Sequence, residues 1–112
     1  MDKPVITTAI PLRRYRLGEF TLTVLGDIES PDDCNYRYFM AVIRSDDPEP
    51  GLFISAEEGE GDDLVMRIMM HDGNEVIGRS GEWRDVSVFT DKAISIVSRV
   101  LNLSDEIPYQ LM

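Results

Sequence analysis

The chain has 112 residues, of which 43% are hydrophobic, and a net charge of −10. These values fit one globular domain able to bury a core of its own and exclude an intrinsically disordered chain. So acidic a surface repels phosphate backbones and anionic lipid, which argues against nucleic-acid and membrane partners. A single cysteine, Cys34, rules out an internal disulfide, no apolar run approaches a membrane span, and residues 1–4 lack the apolar core of a signal peptide. The expected location is cytoplasmic.

Residues 5–10 are rich in β-branched side chains and stop at Pro11, as at an edge strand or a strand end. The stretch 12–17 carries Arg13, Arg14 and Arg16 and reads as a strand or a connection. From Phe20 to Leu25 the residues alternate, with Phe20, Leu22 and Val24 on one side and Thr21, Thr23 and Leu25 on the other. That period of two in β-forming residues is a strand. Residues 27–35 hold Ser30-Pro31-Asp32-Asp33 and read as a loop.

Tyr36 to Arg44 is the strongest strand, apolar on both faces in its middle, as a covered central strand would be. A turn with Pro48 and Pro50 leads to a strand over 52–56, and an acidic loop broken by glycines follows over 57–63. Leu64 to His71 is again apolar on both faces apart from Arg67, and Asp72-Gly73 is a favoured pair for a tight turn into a partner strand over 74–79.

One helix is predicted after these strands. Asp85 is a suitable N-cap. Val86, Phe89, Ala93, Ile96, Val97, Val100 and Leu101 then form a single apolar stripe at spacings of three and four. Asn102 is able to close it, Trp83 packs at the passage from sheet to helix, and Pro108 leaves an extended tail. Strands first and a helix last give an α+β fold: an antiparallel meander of five to six strands with one amphipathic helix on one face. The helix covers only that face. The second apolar face then needs strong curvature of the sheet or a second copy of the chain, so a homodimer is one expectation.

The charge is concentrated. Residues 45–63 contain eight acidic side chains and no basic one. In a meander, alternate connections fall at the same end of the sheet. The loops 27–35 and 57–63 should therefore share an edge holding Asp27, Glu29, Asp32, Asp33, Glu57, Glu58, Glu60, Asp62 and Asp63, about 10 Å apart across one intervening strand. Solvation is the ordinary use of such an edge; docking of a basic protein is the functional one. Calcium or magnesium binding is a third use, since oxygen ligands are abundant, but the spacing of an EF-hand loop is absent, and no metal ligand or cofactor is assigned.

The other chemistry-bearing residues are few. His71 is the only histidine and precedes a turn; Cys34 follows two aspartates, which raise a thiol's pKa and blunt it as a nucleophile. Arg13, Arg14, Tyr15 and Arg16 form a basic cluster that alone suits a phosphate or acidic-peptide contact, but pairing with the acidic loops is the expectation. Met40, Met66, Met69 and Met70 serve as core filler or as an adaptable binding face. No phosphate loop, zinc spacing or nucleophile elbow is present. The residue set points to a non-enzymatic protein-binding module, an adaptor, chaperone or regulator. The alternative is a small-ligand binder or minor enzyme with a cavity in a curved sheet, lined by Tyr36, Tyr38, Arg67 and His71. The chain as one subunit of a larger assembly is a third possibility.

Overall fold

Seven strands lie side by side in one open antiparallel sheet in the order β6-β5-β4-β3-β2-β1-β7. The computed structural model describes residues 8–29, 35–46, 51–58, 61–70, 73–103 and 105–111. The strands are β1 (Thr8–Leu17), β2 (Phe20–Glu29), β3 (Tyr36–Arg44), β4 (Leu52–Glu58), β5 (Leu64–Met70), β6 (Gly73–Ser80) and β7 (Tyr109–Gln110). A short 3₁₀ turn, Gly81–Arg84, precedes the single α-helix α1 (Val86–Val100). The first six strands follow chain order, so each pairs with its predecessor; β7 returns to the outer edge of β1. The expected α+β meander with one helix is what forms.

β1 differs from its expected form. A single strand runs through Pro11, with register shifts on both sides of it, Thr8/Ile10 and Pro11/Arg13. A bulge tolerates the missing N–H that a regular ladder position would not. Among the described residues the partners of Arg13 and Arg16 are not acids of the acidic loops. Arg13 donates from Nη2 to Ser87 Oγ at 2.9 Å, and Arg16 donates to the Gly18 carbonyl and to Ser45 Oγ. The turn into β2 has Gly18 at φ 59, a positive value that suits glycine at the first central position of a two-residue hairpin.

The helix forms where its caps and stripe place it. The Asp85 carboxylate accepts from the N–H groups of Ser87 and Val88. At the other end Asn102 adopts φ 57, and the N–H groups of Asn102 and Leu103 donate to the Arg99 and Ser98 carbonyls, a Schellman closure. Phe89, Ala93, Ile96 and Val97 are buried against Leu22, Val24, Met40, Ile54, Met66 and their neighbours in the main core. Val100, which the stripe assigns to the same face, is instead 43% exposed.

On the other face of the sheet Tyr36, Phe39 and Met69 form a smaller cluster with Leu25, Ile28 and Phe53. The sheet does not close, yet Phe39 and Ser55 on this face are fully buried within one chain. A second copy is therefore not needed to shield them. Met40 and Met66 are fully buried and Met69 is 6% exposed, so three of the four methionines fill the core. Among the described residues no helix is long and apolar enough to cross a membrane.

Candidate functional site: the acidic end of the sheet

The ends of β2 and β4 and the start of β3 meet at one end of the sheet, where the Glu58 N–H donates to the Asn35 carbonyl at 2.8 Å. A bulge at Arg37 shapes this end. Tyr36 pairs with Glu57 and Tyr38 with Ala56, so Arg37 is the extra residue. Regular alternation would put Tyr36 and Tyr38 on one face. The bulge sends Tyr36 into the Phe39–Met69 cluster and Tyr38 against the helix, 5.5 Å from Phe89 between ring centroids. Both tyrosines still line an open groove of about 680 Å³, together with Asp27, Glu29, Arg37 and Glu58.

Asp27 and Glu29 are exposed. Asp27 holds φ 47, a left-handed value that aspartate tolerates better than most residues. Next to it Gly26 lets Leu12 close over the strand; a Cβ there would lie 2.6 Å from Leu12 Cδ1. The Arg37 guanidinium carbon is 5.6 Å from the Tyr38 ring centroid, within reach of a cation–π attraction.

Glu58 is less free than its place in an acidic run implies. Arg84 grips it with two bonds, Nη1 to Oε1 at 3.0 Å and Nη2 to Oε2 at 2.8 Å. Arg84 also donates from Nε to the Asp62 carbonyl, and its own carbonyl accepts from the Tyr38 hydroxyl at 3.0 Å. The 3₁₀ turn, the loop after β4 and β3 are thereby joined. The bonds from Arg84 hold the Glu58 carboxyl below the usual glutamate range; burial opposes them, and the charges of Arg84 and Arg37 add to them. The same bonds raise Arg84 above its usual value, against desolvation.

This pairing predicts a pH dependence. The folded carboxyl titrates lower than the unfolded one, so its stabilisation is complete above about pH 4.3, the unfolded value, and disappears as pH falls through the lowered folded value. The melting-temperature gap between the wild type and Glu58→Gln should be widest near neutrality and shrink below that point. A gap unchanged at pH 2 would show that charge is not its source.

The remaining sequence candidates are divided. Glu57 turns from the acidic edge into the second sheet face and is 9% exposed. There its carboxylate accepts from Arg67 Nε at 3.3 and 3.4 Å and from Ser55 Oγ at 3.4 Å. Arg67 Nη1 also donates to Asn74 Oδ1 at 2.9 Å, and Arg67 does not line the groove. Asp62 and Asp63 do stay at the acidic end, exposed on the loop after β4 and close enough to Arg84 for their charges to act on it. Asp32, Asp33, Cys34, Glu60 and His71 lie outside the described residues. Among the described residues no group of three or more His, Cys, Asp or Glu side chains is placed to hold a metal ion. The groove's two signals that sequence reasoning missed are Arg37, a bulge residue, and Arg84, which lies 26 residues from its partner. Comparison with family models, curated proteins and solved structures found no match.

Proposed function

We propose that this protein is a non-enzymatic docking module, an adaptor, chaperone-like or regulatory protein that receives a basic segment of another protein at the acidic end of its sheet. The observation that carries this reading is the open groove of about 680 Å³ with Asp27 and Glu29 exposed along it and Tyr36 and Tyr38 in its lining. Carboxylates draw in lysine and arginine side chains by charge. Aromatic rings add flat apolar contact and a cation–π surface. Asp62 and Asp63, exposed on the loop after β4, add negative charge at the same end of the sheet.

A second reading rests on the same cavity. Its size falls within the range of small-molecule sites, about 300–1,000 Å³. Two of the four side chains expected of a ligand pocket, Tyr36 and Tyr38, line it. The cavity opens at the end of the sheet, while the space under the helix is filled by the main core.

Affinity capture separates the two. Wild-type bait should retain a stoichiometric basic protein at low salt and lose it at high salt. Asp27→Lys combined with Glu29→Lys should lose it at both while the bait stays folded, at the small cost in melting temperature of a lysine at the left-handed position 27. Recovery of the same protein by the reversed bait would sink the docking reading. Wild-type bait that returns alone at both salts would move the search to small ligands.

A further inference from the structure

We propose that the strip between α1 and β6 is a contact surface for a second copy of this chain, related to the first by a two-fold axis. The helix leaves one flank of its sheet face uncovered. Ile68, Val76, Ile77, Ile96 and Val100 line a hollow of about 300 Å³ there. It shares Ile68 with a hollow of about 190 Å³, which in turn shares Met70 with one of about 210 Å³. Val76 is 47%, Ile77 36% and Val100 43% exposed. Val100 is the one member of the helical stripe that the chain itself leaves largely in water.

The rim of the strip decides the occupant. The hollow between α1 and β6 carries one acid, Glu75, and one base, Arg99; Arg44, at the far end of the strip, is already paired with Glu19 and Asp46. Neither Glu75 nor Arg99 enters an ion pair among the described residues. In a two-fold interface, residue i of each copy meets residue j of the other. One rotation then sets Glu75 against Arg99 twice and brings the apolar side chains together. A foreign partner would have to supply the reversed arrangement; a second copy has it by symmetry.

Net charge agrees. Copies carrying −10 each repel, so contact requires a face whose own charges cancel, and this rim is such a face. β6 is the last strand on its side of the sheet. Its bulge between Val76 and Gly78, opposite Arg67 and Met66, disrupts a regular edge ladder and disfavours continuous strand pairing. The copies meet through side chains.

Sedimentation velocity from about 1 to about 500 μM, the range that resolves a modest interface, tests this. The wild type should shift from monomer to dimer as concentration rises. Val100→Glu, an exposed position whose change spares the core, should abolish the shift. Glu75→Arg and Arg99→Glu should each weaken association roughly tenfold. An equimolar mixture of those two variants should recover the dimer, because both cross-pairs become Arg–Glu; a folding defect in either would not be mended by mixing. A wild type monomeric throughout, or a dimer indifferent to Val100→Glu and to mixing, would overturn the proposal. So would a wild type that stays monomeric while an amphipathic peptide fills the strip. Asp27→Lys and Glu29→Lys should leave self-association intact, which separates this contact from the docking groove.

Discussion

Phe89→Ala is expected to lower the free energy of unfolding by about 3–5 kcal/mol, a large share of the roughly 5–15 kcal/mol that holds a domain together. Phe89, in the first turn of α1, is fully buried in the main core. Its ring lies 5.5 Å from that of Tyr38, and Tyr38 in turn holds the Arg84 carbonyl. Truncation leaves a cavity bounded by β-strand side chains, which have little room to collapse into it. The neighbouring Val88 is 38% exposed, and Val88→Ala should cost within about 0.5 kcal/mol. Guanidinium unfolding of both variants is the measurement. The midpoint should fall for Phe89→Ala with the slope unchanged, since the surface exposed on unfolding is nearly the same. Equal losses in the two variants would show that the helix is not anchored through Phe89.

The second large effect belongs to the ion pair on the other sheet face. Arg67→Met should destabilise by about 2–3 kcal/mol, because it strands the Glu57 carboxylate without its charged donor. The side chains of Glu57 and Arg67 are 11% and 31% exposed, and the strand register sets Tyr36, a member of the Phe39–Met69 cluster, opposite Glu57. The asymmetry is the test. Glu57→Leu with Arg67→Met removes both charges and should recover most of the loss, since a buried pair contributes little net once its desolvation is counted. A double variant as unstable as the single one would show that the pair, and not the stranded charge, carries the stability.

Local chemistry made much of this fold legible. Alternation over 20–25 and the cap at Asp85 each state a local geometry, and β2 and α1 formed where they put them; the strands on either side of the predicted Asp-Gly turn pair as a hairpin, Asp72 itself lying outside the described residues. Two of the misses share a cause. A β-bulge inserts one residue and reverses every face assignment beyond it, without a composition signal of its own. The bulge at Pro11–Arg13 joined what reads as two segments, and the one at Arg37 parted Tyr36 from Tyr38. The acidic end was legible as charge but not as function of each acid. Glu57 and Glu58 are adjacent, so a strand points them to opposite faces; which face holds an arginine depends on Arg67 and Arg84, and thus on tertiary pairing.

The order of the strands has a consequence for how the protein is made. Each strand from β2 to β6 pairs with the one just before it, so a nascent chain can lay down its sheet strand by strand as it leaves the ribosome. The helix that covers the sheet comes after all six. Until residues 86–100 emerge, Leu22, Met40, Ile54 and Met66 face water on a growing apolar surface. At ordinary synthesis rates the 15 helical residues take on the order of one to three seconds to add. That interval is when a chain of this design is most open to a holding chaperone, and ribosome-bound chains ending before residue 86 should be its preferred clients.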